Sequence, residues 1–197
     1  CGIAFVAGIP IVIKAGWPFI VIGLFCILLS YVYTGTKFSL AYTGTADFFV
    51  IVFFGGFAVW GTVYTLTLNP NVFPFLLGLQ LGCLCDIILL VNNLRDHKQD
   101  IKNSKRTLVV RFGRHFGLLN YLLFIFIGFG ATLFWPAEYY DFRIFLLGLP
   151  WFIISLLLWY VVASTTPSQK YNKVLKLSSM TYFGFCICLC LGFTLFM

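Results

Sequence analysis

Residues 91–113, VNNLRDHKQDIKNSKRTLVVRFG, form one strongly charged passage in a chain that is otherwise almost free of charge. Six of these residues are Lys or Arg, a seventh, Arg114, follows at once, and Asp96 and Asp100 lie among them. Around the passage the chain is apolar: 61% hydrophobic, 20% aromatic and only 10% charged, where a soluble domain carries about 25% charged residues. Apolar runs fall at 1–13, 17–33, 48–68, 72–91, 116–136, 142–163 and 177–197. Most approach the roughly 20 residues that a helix needs to cross hydrocarbon. The pattern predicts an all-α, polytopic transmembrane helix bundle of about seven helices rather than a barrel of alternating strands.

The net charge of +7 could suggest phosphate-bearing partners such as nucleic acid. The distribution of the charge argues otherwise. When successive loops are assigned to alternate sides, Lys37, the seven basic residues from Arg95 to Arg114, and Lys170, Lys173 and Lys176 share one side. Only Lys14 and Arg143 fall on the other. Lys and Arg collect on the cytoplasmic side of membrane proteins, so the passage is expected to be cytoplasmic, the partner to be the lipid bilayer, and nucleic acid to play no part. The expected location is an integral membrane protein of a bacterial cytoplasmic (inner) membrane. Two loops on the charged side, 34–47 and 92–115, are long enough to carry chemistry, and 164–176 reads as a polar linker. Trp135, Tyr139 and Tyr140 fall where an interfacial aromatic belt is expected.

The seven cysteines, an odd number placed mostly inside apolar runs, argue against a disulfide framework. Cys186, Cys188 and Cys190 are two apart, which turns their side chains about 200° from one another on a helix. They are expected to be small buried hydrophobes and not a metal site. The chain begins at Cys1 with a short apolar run and no basic segment before it, so it reads as one transmembrane domain over 1–197 that is incomplete at its N-terminus.

Chemistry is expected at Asn92, Asp96 and Asp100. Residues four apart lie near one face of a helix, so if the span ending at 91 continues past the membrane surface, one amide and two carboxylates line a single stripe. Two close carboxylates repel unless a cation lies between them. Mg2+ prefers such oxygens and keeps coordination positions open for substrate phosphates. Lys102, Lys105 and Arg106 could then hold phosphate oxygens. The competing reading is a solvated loop with charge pairs between Asp96 and its Lys neighbours. Asp86 lies within an apolar run, where an ionisable residue usually faces the bundle interior. By 100° steps it sits about 40° from Asp100 and about 80° from Asp96, deeper on the same side, either touching an aromatic ligand or bonded to a neighbouring helix. His97 and His115 read as bystanders.

The stretch NNLRDHKQDIKNSKRTLVVRFG resembles the second aspartate-rich motif of the UbiA superfamily of intramembrane aromatic prenyltransferases, N-x-x-x-D-x-x-x-D followed by Lys-Arg-Thr-Leu and a Gly. Residues 16–62 are similar to the same family's fourth and fifth helices, with Tyr-Thr-Gly turns, and within the family both stretches look most like the branch that prenylates dihydroxynaphthoate. The resemblance implies nine helices around a cavity open to lipid, of which the seven runs match helices three to nine. It implies that Asn92, Asn93, Asp96 and Asp100 bind Mg2+ and the diphosphate of a polyprenyl donor, with Asp96 and Asp100 as catalytic residues. Tyr33 and Lys37 match a Tyr-x-x-x-Lys pattern near that diphosphate, and Lys105, Arg106 and Asp86 complete the implied substrate contacts. Asp47 stands where the family tends to be acidic, and could instead cap the next helix. The implied reaction moves a polyprenyl chain from polyprenyl diphosphate to 1,4-dihydroxy-2-naphthoate with loss of CO2, giving demethylmenaquinone. The family's first aspartate motif would precede Cys1, so the chain by itself is expected to be inactive. Rival readings are a prenyltransferase for 4-hydroxybenzoate or homogentisate, a transporter with Asp86, Asp96 and Asp100 in a cation path, and a non-catalytic subunit.

Overall fold

The computed structural model describes residues 2–34 and 40–196, the side chains of residues 4, 30, 33, 34, 40 and 41 excepted. The chain runs through α1 (Gly2–Ala15), α2 (Pro18–Thr34), α3 (Leu40–Thr43) and α4 (Ala46–Phe49). α4 continues without interruption through a π-helical segment (Val50–Phe57) into α5 (Ala58–Thr67). Then follow α6 (Phe73–Lys102), α7 (Leu108–Gly130) with a 3-10 turn at its end (Ala131–Phe134), α8 (Phe142–Ser164) and α9 (Lys170–Phe196). Among the described residues there is no strand. Five helices are long and apolar enough to cross a bilayer: Ala46–Thr67, Phe73–Lys102, Leu108–Phe134, Phe142–Ser164 and Lys170–Phe196. Shorter apolar helices occupy Phe5–Ala15 and Pro18–Leu29. The protein is an integral membrane helix bundle, and leucine, isoleucine and phenylalanine side chains cover its exposed surface, as a lipid solvent requires.

One correction concerns the passage on which the sequence turns. Residues 92–115 are not a loop: α6 carries the first eleven of them, and only 103–107 separate it from α7. The stop is a Schellman turn, in which the N–H groups of Ser104 and Lys105 bond back to the carbonyls of Ile101 (3.2 Å) and Asp100 (3.0 Å). Ser104 takes the left-handed conformation that this turn demands, φ 56°. Thr107 then caps α7, its hydroxyl accepting from the Val110 N–H. Gly113 breaks α7 at φ 84° and ψ 172°, a conformation open in practice to glycine alone. The motif's terminal glycine is thus a hinge between a short helical turn and the membrane-crossing part of α7.

Packing centres on α6, which touches the π segment, α5, α7 and α9. Lipid tails are as apolar as leucine, so membrane helices associate through close fit and shared hydrogen bonds. Both are present. A Cβ on Gly55 would lie within 3 Å of the backbone of Gly78 and Gly82, and one on Gly82 would collide with Ile51. On the other side, buried Gln80 donates from Nε2 to the Gly128 carbonyl (2.8 Å) and Thr132 Oγ1 (3.0 Å). Its Oε1 accepts from Trp135 Nε1 at 2.9 Å. Trp135 therefore is not a belt residue: it is buried and stacks on Phe193, ring centroids 5.4 Å apart. Tyr139 likewise stacks on Phe73 at 4.0 Å. The cysteines also depart from expectation, since among the described residues only Cys83 is buried, while Cys26 and Cys190 are exposed.

At the charged end, Arg114 Nη2 donates to the carbonyls of Val162 (2.6 Å), Ala163 (3.2 Å) and Thr165 (2.8 Å), the open end of α8. Tyr171 adds its hydroxyl to Val162 and Thr165 from α9. At the other end of α8, Asp141 caps the helix by accepting from the Arg143 N–H, and the Arg143 guanidinium holds that carboxyl below its usual range.

Gly82→Val should separate α6 from the π segment and cost ~1–3 kcal/mol, the range for overpacking a tight core. Gly23→Val, where an added Cβ meets nothing within 4 Å, should leave stability unchanged. Thermal unfolding of the two variants in detergent, side by side with the wild type, checks this.

Candidate functional site

A helix of 30 residues rises ~45 Å, half again the ~30 Å of bilayer hydrocarbon. The apolar part of α6 ends at Val91, so its last eleven residues form the surplus that carries the candidate site. The expected stripe is present, and its members differ in burial. Asp100 is buried, Asn92 is half-buried, and the Asp96 side chain keeps 29% of its surface. Asn93 lies on the buried side of the helix.

Two basic residues engage the two carboxylates. Arg95 Nε and Nη2 fork onto Asp96 Oδ1 and Oδ2, each at 2.7 Å. Arg95 Nη2 also donates to Asn92 Oδ1 at 2.7 Å, and Nη1 donates to Asn172 Oδ1 of α9 at 2.7 Å. Lys105 Nζ lies 3.1 Å from Asp100 Oδ1. The Schellman turn explains this second pair, because it folds the chain back and sets Lys105 over the last turn of α6. The same turn brings the second charged segment into the site. The Arg106 N–H donates to the Tyr42 carbonyl (2.9 Å), and Lys105 Nζ stands 5.5 Å from the centre of the Tyr42 ring. Arg111 Nη2 donates to the Thr43 carbonyl at 2.6 Å. Gly44, at φ 75°, sits so close to the Arg106 carbonyl that a Cβ would not fit.

Asn92, Asp96, Asp100, Lys105 and Arg106 are thus gathered at one end of α6, together with Tyr42–Gly44. The expectations for Tyr33 and Lys37 lie outside the described residues. Arg95 and Asn172 were not expected: Arg95 was counted as a topology charge and Asn172 as linker. The chemistry of the donor set fits a hard cation. The carbonyl oxygen of Asn92 and a carboxylate oxygen of Asp96 already converge on one positively charged nitrogen, Arg95 Nη2. Among the described residues no group of three or more His, Cys, Asp and Glu side chains converges.

Asp86 does not join this set. It lies 14 residues before Asp100, ~21 Å along the helix, and is fully buried. It faces Asp47 of α4 across the same interface in which Gly82 meets Ile51 and Gly78 meets Gly55, and the two carboxyls interact electrostatically. Asp47 is also buried, and the two carboxyls are hydrogen-bond neighbours of each other, with no other side chain bonded to their oxygens among the described residues. The alternative that Asp47 caps a helix is corrected: the cap position is Thr45, which makes no side-chain cap bond, and Asp47 is the second residue of α4. Away from this pair, an apolar cavity lies between α7, α8 and α9, with Phe126, Phe129, Phe145, Phe152 and Phe185 among its walls. His97 and His115 have no side-chain hydrogen bonds among the described residues, and His115 is exposed.

A model of the UbiA prenyltransferase family matches residues 1–180. Three curated relatives carry one name, 1,4-dihydroxy-2-naphthoate octaprenyltransferase. That of Mycobacterium leprae is 37% identical over 108 residues, 55% of this chain and 37% of the relative. That of Mycobacterium tuberculosis is 36% identical over 107 residues, 54% of this chain and 37% of the relative. That of Escherichia coli is 38% identical over 97 residues, 48% of this chain and 31% of the relative. The matched stretch thus spans little more than a third of the curated relatives' length at most among these three. No solved structure matches this chain significantly.

Removing one member of a buried hydrogen-bonded pair leaves the other unsatisfied, at a cost of ~1–3 kcal/mol. Asp86→Leu, which strips the Asp47 carboxyl of its neighbour, should therefore lower the unfolding temperature of the detergent-solubilised protein. An unchanged or higher temperature would show that the pair adds nothing to stability.

Proposed function

This chain belongs to the UbiA prenyltransferase family, and from that premise we propose that it acts in the transfer of a polyprenyl chain to 1,4-dihydroxy-2-naphthoate. The observation that carries the reading is the convergence of Asn92, Asp96 and their basic neighbours at the protruding end of α6. It is supported by the shared name of the relatives, whose sequences align with about half of this chain. In this reading the charged end faces the cytoplasm and the donor is polyprenyl diphosphate, whose tail lies in the membrane.

Asn92, Asp96 and Asp100 are the residues that would hold Mg2+ and, through it, the diphosphate. Bound there, Mg2+ would compensate the negative charge that grows on the departing diphosphate. Arg106, whose guanidinium makes no hydrogen bond among the described residues, is placed to hold phosphate oxygens. Lys105 keeps the Asp100 carboxylate fixed at the end of α6. The C–O bond to the allylic carbon breaks and its electron pair leaves with diphosphate. The ring carbon that bears the acceptor's carboxylate forms the new C–C bond, and the carboxyl carbon departs as CO2, its bonding pair returning to the ring. The product is the demethylmenaquinone skeleton.

In membranes holding the full-length protein, labelled isoprenyl should pass from the diphosphate to 1,4-dihydroxy-2-naphthoate, with Mg2+ required and 4-hydroxybenzoate ignored. Asp96→Ala and Asp100→Ala should each lower the transfer by ~100-fold or more, the scale of losing a group that stabilises developing charge. Undiminished transfer in both variants would sink the assignment.

A further inference from the structure

Arg95 is placed where the metal ion of the preceding section would have to go. Its Nη2 stands 2.7 Å from Asn92 Oδ1 and 2.7 Å from Asp96 Oδ2, the two oxygens that would ligate the cation. Its Nε takes the second oxygen of Asp96, and its Nη1 reaches across to Asn172 Oδ1 at the start of α9. A guanidinium cannot stay there when a divalent ion arrives, because the same lone pairs cannot serve both and the two positive charges repel. The group is half-buried at the edge of the site and sits on a long flexible side chain, so it is free to swing.

We propose that Arg95 is the resident counter-ion of the metal site. In the absence of ligand it holds Asn92 and Asp96 convergent, with Asn172 as its anchor on α9. When a metal and a diphosphate enter together it yields the two oxygens and turns its donors to the phosphate, a bidentate partner that guanidinium geometry suits. Without Arg95 the acidic end of α6 would be open to any divalent ion. With it, the metal alone competes against a tethered cation, and the metal–diphosphate pair does not, because the displaced guanidinium gains a new anion. The inference rests on the assignment of Asn92 and Asp96 to the cation. It makes Arg95 a binding residue for the diphosphate and Asn172 a positioning residue.

The test is Mn2+ binding to the full-length protein in nanodiscs, followed by the free-ion EPR signal, with and without inorganic pyrophosphate. Without pyrophosphate, Arg95→Gln should bind Mn2+ about thirtyfold more tightly, the effect of removing one positive charge ~4 Å from a divalent ion in a water-like medium. Asn172→Ala, an exposed substitution that removes an anchor but no metal oxygen, should shift affinity the same way by about twofold. With pyrophosphate present, both variants should lose that advantage, and Arg95→Gln should bind less tightly than wild type. A purely structural role for Arg95 predicts the opposite sign in the first measurement, since loosened oxygens bind metal more weakly. Asp96→Asn separates the two layers of the argument. If it leaves Mn2+ affinity unchanged, the site assignment itself fails. If it weakens binding while Arg95→Gln and Asn172→Ala leave affinity equal or lower, the counter-ion proposal alone is overturned.

Discussion

The constraint on which the rest depends is a mismatch of lengths. α6 is ~45 Å long and hydrocarbon is ~30 Å thick, so a helix that is apolar through Val91 must carry its last eleven residues beyond the membrane core. Those residues keep helical spacing, and this places Asn92, Asp96 and Asp100 on one stripe instead of scattering them along a loop. The stop that follows is equally consequential. A Schellman turn returns the chain along the helix it has just left, so Lys105 meets Asp100 and Arg106 meets the Tyr42 carbonyl. The site is thus a product of where a helix ends, and no strand, loop insertion or separate domain is needed to build it.

Further into the bundle, the same side of α6 obeys a different rule. Against the π segment, contact is through backbone, with glycines at 55, 78 and 82 removing every side chain that would hold the helices apart. One helical turn further along the same interface come Asp47 and Asp86, buried and paired with each other. Close approach explains their burial: once the glycines fix the distance between the helices, whatever stands at the next turn is enclosed as well. The enclosure separates Asp86 from the charged end by ~21 Å. Two carboxyl pairs therefore exist in unlike surroundings: Asp96 and Asp100 are held by Arg and Lys at the end of α6, while Asp86 of α6 and Asp47 of α4 are enclosed within the bundle.

Much of this was legible in the sequence because the bilayer reduces the problem to length and polarity. Seven apolar runs correspond to seven apolar helices, and the 4 + 4 spacing of the amide and the two carboxylates survives as a stripe. What escaped was local or long-range. The continuation of α6 to Lys102 was hidden because no glycine marks its end; Ser104 takes the left-handed position that usually advertises a stop. Trp135 resembles a belt residue in every respect that a sequence displays, and only Gln80, 55 positions away, turns it inward. Asn172 sits in a polar stretch without pattern, and its bond to Arg95 spans 77 positions. Asp86 was expected deeper on the same side of α6, against a ligand or a neighbouring helix; what the sequence does not display is Asp47, 39 positions away, as its neighbour.

The positive charge of the 91–114 passage also has more than one use. A topology signal needs only net charge on one side, and any arrangement of Lys and Arg would serve. Here four of the seven basic residues are bound to specific acceptors: Arg95 ties α6 to α9, Lys105 closes on Asp100, Arg111 holds Thr43 and Arg114 closes the end of α8. Helix ends near a membrane surface expose carbonyls that neither lipid nor a neighbouring turn can satisfy, and long side chains with fixed charge reach them. Lys98, Lys102 and Arg106 make no side-chain hydrogen bond or ion pair among the described residues, and all three are exposed. Arg95, Lys105 and Arg114 are half-buried against the bundle, whereas Arg111 is exposed, like the three cations that remain unengaged.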